Sequence, residues 1–256
     1  MKRAVFFDID GTLAIRRDIP ISAVSALERL RNNDSAVFLC TGRNANYVQT
    51  YFSSFADGFI CANGRYAYLN EQVLYDHPID PAVLSRILTA ALTHQCGVIF
   101  FGNQHGYYSG DPAGYELFSH SGPDKTPLRL ESIEAMEPIY TFDAYFPSEK
   151  QQAALSAALM DICLFNPHGP YPTADATVFG HDKGTALSAV IHKLCIPREQ
   201  TYAFGDGRND IRMFEAAGHG IAMGNALEEV KEAAEFVTSG ILEDGISNGL
   251  SHYGLI

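Results

Sequence analysis

The sequence lacks the excess of basic residues that nucleic acids and anionic membranes attract. Its 18 lysines and arginines face 30 aspartates and glutamates, which gives a formal net charge of −12 over 256 residues. Such a surface repels polyphosphate backbones and acidic lipid headgroups. We therefore expect no nucleic acid and no membrane as partner, although local lysines or a metal ion can still attract a small anionic substrate.

Long apolar runs are also absent, since no stretch approaches the roughly 20 residues that span a bilayer. The first apolar run leads directly from Arg3 to Asp8, so cleavage of a signal peptide would remove that aspartate, and we expect no such peptide.

The five cysteines form no CxxC pair and no metal-binding pattern. Cys40, Cys61, Cys163 and Cys195 lie within or beside apolar runs. This placement predicts free buried thiols and a cytoplasmic location.

The sequence has no internal repeats, but it does have an alternation of apolar and amphipathic segments. Apolar runs at 4–7, 36–40 and 201–204 predict buried strands, and helical periodicity between them predicts a parallel sheet. The pattern changes near Pro78 and resumes at Asp182. We predict an α/β core of residues 1–78 and 182–256 that is interrupted by an α+β unit of residues 79–181.

Two shorter segments also carry a structural prediction. Asn63-Gly64 predicts a tight turn into a hairpin. Within the insertion, residues 102–127 are rich in Gly, Tyr, Pro and Ser, a composition that predicts long loops.

Three polar motifs follow predicted strands. They are Asp8-Ile9-Asp10-Gly11-Thr12, Thr41-Gly42-Arg43 and Gly205-Asp206-Gly207-Arg208-Asn209-Asp210. Aspartate, glycine and threonine are ordinary turn and capping residues, so a single motif of this kind is weak evidence. Because ligands of open α/β sheets bind at the carboxyl ends of the parallel strands, three such motifs together indicate a binding site.

The aspartates of these motifs predict a divalent metal ion. Asp8 and Asp10 are two residues apart, and extended backbone would direct both side chains to the same side. Such carboxylates repel each other unless a cation holds them, and Asp206 is a natural third oxygen ligand. Mg²⁺ prefers oxygen ligands and takes a phosphate oxygen readily, with Mn²⁺ as the alternative. No histidine or cysteine lies near these aspartates, which disfavours zinc.

The same residues predict phosphoryl transfer. Asp8 is the candidate nucleophile, because an aspartate can attack phosphorus and form an aspartyl-phosphate. Asp10 would then act as acid for the leaving alcohol and as base for water. The backbone around Gly11, together with the amide and hydroxyl groups of Thr41-Gly42, can donate hydrogen bonds to phosphate oxygens.

Other polar residues of these segments allow two interpretations each. Lys183 opens a predicted helix directly after the insertion, and it is either an exposed lysine or a cation that pairs with the phosphate and the nucleophile. Asn209 and Asp210 begin a predicted helix as capping residues, while Asn209 can also contact phosphate and Asp210 can orient the metal ligands. We interpret Arg43 and Arg208 as structural residues or as residues at the rim of the site.

The motifs resemble those of the haloacid dehalogenase-like hydrolase superfamily. The family pattern of DxDGT, a threonine after the second strand, a lysine after an insertion, and GDGxND corresponds to Asp8–Thr12, Thr41, Lys183 and Gly205–Asp210. Further matches are similar to the Cof-type subgroup: Cys40-Thr41-Gly42-Arg43, Asn63-Gly64, Lys183-Gly184 and Glu243-Asp244-Gly245-Ile246. The resemblance implies a Rossmann-like core, an inserted C2-type cap that determines specificity, and magnesium-dependent phosphatase activity on small phosphate esters such as sugar phosphates.

The resemblance also implies roles for single residues. Asp8 would be the nucleophile and Asp10 the acid and base, while Thr41 and Lys183 would contact the phosphate. The metal ligands would be Asp8, Asp206 and the backbone carbonyl of Asp10. A phosphomutase that returns the phosphoryl group to a sugar is the nearest alternative, and a non-catalytic protein that binds a phosphorylated ligand is a further one. We expect a monomer or a homodimer.

Overall fold

The computed structural model describes residues 3–70, 72–121 and 126–256. These residues form two compact units. The first unit contains residues up to Arg43, Tyr47–Asp76 and His181–Ile256, and the second contains Asn44–Asn46 and His77–Gly180. Within the described residues, no helix combines the length and the apolar character that a membrane span requires.

Strands and helices alternate along much of the chain. In order they are β1 (Arg3–Phe7), α1 (Ile21–Asn32), β2 (Ser35–Cys40), α2 (Ala45–Phe52), β3 (Gly58–Cys61), β4 (Tyr66–Leu69), β5 (Gln72–Asp76), α3 (Pro81–Thr93), β6 (Gly97–Phe101), β7 (Gly106–Ser109), α4 (Pro112–Ser121), β8 (Leu128–Arg129), β9 (Thr141–Tyr145), α5 (Glu149–Ala158), β10 (Cys163–Pro167), β11 (Thr173–Val178), α6 (Lys183–Lys193), β12 (Thr201–Gly205), α7 (Ile211–Ala216), β13 (His219–Ala222), α8 (Glu228–Ala233), β14 (Phe236–Val237) and α9 (Gly245–His252). Short 3₁₀ turns lie at Ala62–Gly64, Ile133–Ala135, Arg198–Gln200 and Arg208–Asp210.

The strands of the first unit form a sheet with the order β14-β13-β12-β1-β2-β3-β4-β5. Neighbouring strands from β14 to β3 are parallel, while β3, β4 and β5 pair antiparallel at one edge. In the central strand β1, Phe7 is in register with Leu39 on one side and with Phe204 on the other. The carboxyl ends of β1, β2 and β12 therefore lie next to one another. The predicted parallel-sheet α/β core is confirmed.

This sheet is covered on both faces, as parallel strands require. Every residue of β2 is buried, and so is every residue of β1 after Arg3. On one face, Phe6 and Phe38 share an apolar cluster with Leu187 of α6 and Phe214 of α7. Helix α1 packs against β2 and α9. This cover holds the strand ends in place for the polar loops that follow them.

The second unit is built on a sheet with the order β10-β11-β9-β6-β7-β8. Strands β7 and β8 pair parallel, and the other neighbours pair antiparallel. One face packs against α3 and α5, where Phe142 lies in a cluster with Leu84 and Leu155. On the opposite face, Ile99 packs with Phe118 of α4. The unit is therefore of the α+β class with its own core.

The prediction of long loops over residues 102–127 is wrong for the described residues, which include β7 and α4. Residues 122–125 of that prediction lie outside the described residues. Helix α4 begins after Asp111, whose Oδ1 accepts a hydrogen bond from the N–H of Gly114 at 2.8 Å. Its Phe118 is buried in the cluster with Ile99. Capping and tertiary packing therefore produce a helix that the local composition does not favour.

The cysteines are free, and Cys40, Cys61, Cys96 and Cys163 are buried. The prediction that Cys195 is buried is wrong, because its side chain is exposed. Cys195 follows the end of α6 in a left-handed turn with a φ of 53°. The turn leaves Cys195 at the surface, while the next residue, Ile196, returns to the buried cluster that contains Leu187 of α6.

Candidate functional site

Lys183 is completely buried and lies between two carboxylates. It is the first residue of α6, whose N-terminus is capped by Asp182 through a hydrogen bond from the N–H of Thr185 at 2.7 Å. The Lys183 Nζ donates to Asp8 Oδ1 at 2.6 Å and to Asp210 Oδ1 at 2.6 Å. The interpretation of Lys183 as an exposed lysine is therefore wrong.

The charges of this cluster shift the pKa values of its members. Burial alone would lower the pKa of Lys183, but the carboxylates of Asp210 and Asp8 outweigh it and raise that pKa above its ordinary value. Burial raises the pKa of Asp8, Lys183 opposes this shift, and Asp210 and Asp206 add to it. Lys183 is therefore charged, and a single ammonium does not balance the three carboxylates around it.

Asp206 follows β12 and faces the loop after β1. Its Oδ1 accepts a hydrogen bond from Thr12 Oγ1 at 2.8 Å. A Cβ atom at Gly11 would come within 2.3 Å of Asp206 Oδ2, and Gly11 has a φ of +93° that glycine adopts freely. Burial raises the pKa of Asp206 to about 6, although the hydrogen bond from Thr12 opposes the shift. Asp206 therefore belongs to the group of carboxylates whose negative charge exceeds the positive charge of Lys183.

Asp210 is fully buried, and both of its carboxylate oxygens are bonded. Oδ1 accepts from Lys183, and Oδ2 accepts from the N–H groups of Asp206 at 3.0 Å and Gly207 at 2.9 Å. Asp210 thus fixes the backbone of the loop that carries Asp206 and also fixes the ammonium of Lys183.

The carboxylates of Asp8, Asp206 and Asp210 form a group in which one oxygen of each residue lies within 4.8 Å of the others. These are hard oxygen donors, and their charge exceeds the single positive charge of Lys183. A small divalent cation such as Mg²⁺ or Mn²⁺ fits both the donor type and the charge. Because both oxygens of Asp210 are already bonded, Asp8 and Asp206 are the side chains of this group that could hold the ion.

The Asp10 carboxylate has a different partner. Strand β1 ends at Phe7, so the extended backbone that would direct Asp8 and Asp10 to one side does not continue to Asp10. The carboxylate of Asp10 accepts from Arg43 Nε at 3.0 Å and from Arg43 Nη2 at 3.2 Å. Arg43 also lies over the ring of Tyr47, with its Cζ 5.1 Å from the centroid. Arg43 therefore contacts both oxygens of the predicted acid and base, which the sequence did not indicate.

Thr41 and Asn209 are linked by Asn63, for which we predicted a turn and a match to the Cof-type subgroup but no role in the site. The buried Thr41 accepts a hydrogen bond from the N–H of Arg43 at its Oγ1, at 3.1 Å. Its carbonyl accepts from the N–H of Asn63 at 3.0 Å. The Oδ1 of Asn63 in turn accepts from Asn209 Nδ2 at 3.1 Å. The signal in the sequence was the Asn63-Gly64 pair, whose frequency in ordinary turns concealed this second role.

Asn225 is another residue that sequence reasoning missed. It follows β13, and its Nδ2 donates to the carbonyl of Gly11 at 2.8 Å. Its Oδ1 accepts from the N–H of Ile241 at 2.9 Å. Asn225 thus joins the loop after β1 to the loop before α9, but a single asparagine after a glycine is too common to indicate this. Arg208 is exposed and pairs with Glu229, as a structural residue does.

The chain is similar to a known protein family and to phosphatases of other organisms. A model of the haloacid dehalogenase-like hydrolases matches residues 5–250. YkrA of Bacillus subtilis (strain 168), named as a candidate phosphatase, is 30% identical over 268 residues, which cover 99% of this chain and 98% of the relative. The HMP-PP phosphatase of Citrobacter koseri is 26% identical over 264 residues, which cover 99% of this chain and 94% of the relative.

A solved structure extends the similarity to three dimensions. The structure of BT4131, described as a sugar phosphatase of subclass IIB of the same superfamily, has a TM-score of 0.79 and 30% sequence identity to this chain. The match covers 99% of this chain and 100% of the solved one. Both the sheet core and the α+β unit are therefore shared with a phosphatase.

Proposed function

We propose that this chain, which belongs to the haloacid dehalogenase-like hydrolases and is a phosphatase, hydrolyses small phosphate monoesters with Mg²⁺ through an aspartyl-phosphate on Asp8. Sugar phosphates are the substrate class that we favour. The observation that carries the proposal is the buried pair of Asp8 and Lys183, at 2.6 Å, within an acidic group at the carboxyl edge of the sheet.

Asp8 has the position of a nucleophile. Its Oδ1 is held by Lys183, while none of the described residues donates a hydrogen bond to its Oδ2. Oδ2 is therefore the oxygen that attacks phosphorus. A bond forms between Oδ2 and phosphorus while the bond from phosphorus to the alcohol oxygen breaks. Water then attacks the phosphorus of the aspartyl-phosphate, which releases inorganic phosphate and restores Asp8.

The proton for the leaving alcohol comes from Asp10 in the first step. In the second step Asp10 takes a proton from the attacking water. The pairing of Asp10 with Arg43 holds its carboxylate at the start of the loop after β1. Each oxygen of Asp10 accepts one hydrogen bond from Arg43, and proton transfer in either direction uses a further lone pair of this carboxylate.

The phosphate oxygens would be bound by Lys183, by the hydroxyl of Thr41, by the amide of Gly42 and by the side chain of Asn209. These groups follow β2 and β12 or begin α6. Asp8, Asp206 and the backbone carbonyl of Asp10 would hold Mg²⁺, and Mn²⁺ is the alternative. When bound, the ion neutralises charge on the phosphoryl group and orients it toward Asp8.

The substrate class rests on the relatives and on the second unit. BT4131 is described as a sugar phosphatase and the Citrobacter koseri relative as an HMP-PP phosphatase. In this chain the insertion of residues 79–181 would act as the cap that selects among small phosphate esters. The acidic group would then determine the reaction, and the cap would determine the substrate.

A screen of phosphorylated sugars, nucleotides and cofactors tests the proposal. We expect inorganic phosphate to be released with Mg²⁺, and release to stop when a chelator is added. Asp8→Asn should abolish turnover, by about 10⁴-fold or more, with little loss of stability, because asparagine keeps an oxygen for Lys183. Asp161→Asn, an exposed aspartate of the second unit that pairs with Arg86, is the matched control and should retain full activity.

Three results would contradict the proposal. Near-normal Mg²⁺-dependent hydrolysis by Asp8→Asn would exclude Asp8 as the nucleophile. An isomerised phosphosugar without release of phosphate would indicate a phosphomutase. Tight binding of one ligand without turnover of any ester would instead indicate a binding protein.

A further inference from the structure

The turn Ala62–Gly64 follows β3 and has an unusual backbone. Ala62, Asn63 and Gly64 have φ values of 51°, 50° and 94°, so all three are in the left-handed region. This region is unfavourable for alanine and tolerated by asparagine, and it persists where surrounding contacts enforce it. The side chain of Asn63 is buried, with 5% of its surface exposed.

The backbone of this turn binds the loop after β2. The N–H of Asn63 donates to the carbonyl of Thr41 at 3.0 Å, and the N–H of Ala62 donates to the carbonyl of Arg43 at 2.9 Å. A Cβ atom at Gly42 would lie 3.2 Å from the side-chain amide of Asn63. The turn therefore binds the backbone of Thr41 and Arg43 and packs closely against Gly42 between them.

The turn also reaches the other two groups proposed to bind phosphate. A Cβ atom at Gly64 would lie 2.0 Å from the carbonyl oxygen of Asp182 and 3.0 Å from the nitrogen of Lys183. The Oδ1 of Asn63 accepts a hydrogen bond from Asn209 Nδ2 at 3.1 Å. An asparagine amide has two N–H donors, so this bond fixes the orientation of Asn209 and leaves its second N–H for another acceptor.

We infer that Asn63 is a positioning residue for phosphate binding, which acts by orienting the side chain of Asn209. The inference deepens the proposed function and rests on it for the identity of the anion. Asn63 receives one N–H of Asn209, and the other N–H of Asn209 donates to an oxygen of the phosphoryl group. Without the Asn63 oxygen, the Asn209 amide rotates freely and loses part of its affinity for the anion.

The experiment measures binding of orthovanadate, which resembles the phosphoryl group, by calorimetry in the presence of Mg²⁺. The main variant is Asn63→Gly, because glycine keeps the left-handed backbone and removes only the side chain. Asn70→Gly is the matched control. Asn70 also has a positive φ, of 45°, but it is exposed and follows β4 at the opposite end of β3.

We expect Asn63→Gly to raise the dissociation constant for orthovanadate by about tenfold, which corresponds to about 1.4 kcal/mol, the size of one hydrogen bond to a charged group. Asn209→Ala should raise it by a similar factor, and the double variant should bind no more weakly than Asn209→Ala alone. Asn70→Gly should bind like the wild type. Binding of Mg²⁺ should be unchanged in all of these variants.

Three results would overturn the inference. They are unchanged orthovanadate binding by Asn63→Gly, factors that multiply in the double variant, and absence of orthovanadate binding by the wild type. The first result would overturn it even if Asn63→Gly lost thermal stability, because the role would then be structural only. Calorimetry needs no turnover, so a wild type that binds orthovanadate but hydrolyses no ester would refute the proposed function and leave this inference standing.

Discussion

Lys183 and Asp210 are 27 residues apart in the sequence, and their side chains meet at 2.6 Å in an interior where neither is exposed. The same ammonium lies 2.6 Å from Asp8, so one lysine holds both the predicted nucleophile and the residue that fixes the Asp206 loop. Lys183 therefore holds the site together, in addition to the phosphate-binding role that we propose for it.

Lys183→Met should destabilise the protein and stop turnover. It leaves the carboxylates of Asp8 and Asp210 buried without their cation, and breaking such a group costs about 3–5 kcal/mol. Urea denaturation in the presence of a chelator measures the free energy of unfolding. Lys150→Met, at an exposed position of α5, is the control and should change it by less than about 0.5 kcal/mol. Equal effects of the two substitutions would disprove the structural role of Lys183.

Gly11→Ala should abolish activity and Mg²⁺ binding, while its effect on the free energy of unfolding should be smaller. Gly11 and Gly180 both have a φ of +93°, so alanine at either position costs about 1–2 kcal/mol of backbone strain. An added Cβ meets Asp206 Oδ2 at 2.3 Å from Gly11, whereas it meets nothing within 4 Å at Gly180. We expect Gly11→Ala to lose the stabilisation by Mg²⁺ and Gly180→Ala to keep it, as measured by thermal unfolding with and without Mg²⁺. Retained stabilisation in Gly11→Ala would contradict the placement of Asp206 at the metal.

Stabilisation by Mg²⁺ should depend on pH through Asp206. Its pKa is about 6 in the folded chain against an ordinary value of 3.8, so the folded state binds more protons than the unfolded state between these values. The contribution of Asp206 to stability therefore falls as pH rises through that window, and it is lowest above pH 6. Mg²⁺ competes with this proton, so its affinity should rise about fivefold from pH 5 to pH 6 and about tenfold from pH 5 to pH 7, and level off above pH 7.

Melting temperatures with Mg²⁺ and with a chelator check this prediction across the same pH range. The increase in melting temperature caused by Mg²⁺ should be small at pH 5 and larger at pH 7.5. In Asp206→Asn the increase should be absent at both values. An increase of equal size at pH 5 and pH 7.5 in the wild type would contradict a titrating ligand.

Asp10→Asn should slow the hydrolysis of a sugar phosphate more than the hydrolysis of p-nitrophenyl phosphate. A sugar alkoxide needs a proton as it leaves, and loss of a general acid costs about 10²–10⁴-fold. p-Nitrophenolate leaves without a proton, so the loss for p-nitrophenyl phosphate should be smaller. Initial rates on the two substrates give the comparison, with Asp18→Asn in the same exposed loop as the control. The same loss on both substrates would exclude Asp10 as the acid.

The parallel core was predictable because its strands are buried on both faces. Apolar runs such as Ala4–Phe7 and Ala36–Cys40 have no periodicity of two, and together with the helices between them they indicate a parallel sheet. Helix α4 was not predictable, since its stability comes from the packing of Phe118 against a strand that is distant in the sequence. Strand β11 was missed for a similar reason: its inward residues are small, and the partner strands β9 and β10 supply its hydrogen bonds.

The site was predictable where residue type restricts the chemistry. Aspartates beside glycines at strand ends suit a cation and a phosphate, and the structure brings Asp8 and Asp206 into one acidic group with Asp210. The pairing of Asp10 with Arg43 and the role of Asn63 were not predictable, because arginine and asparagine are common at surfaces and in turns. The role of each residue depends on which side chain it contacts in the folded chain.

The sequence by itself determined the family, the α/β class and the residues proposed to carry the chemistry, since strand burial and carboxylate chemistry are local properties of residue type and spacing. Only the tertiary structure decided which of these residues share a partner. Lys183 reaches Asp8 and Asp210 from a helix that begins 175 residues after the first of them, and Asn63 reaches Asn209 across 146 residues. Such pairs are set by the parallel register of β1, β2 and β12, which places distant loops at one edge of the sheet, and pairing between distant segments leaves no local signal along the chain.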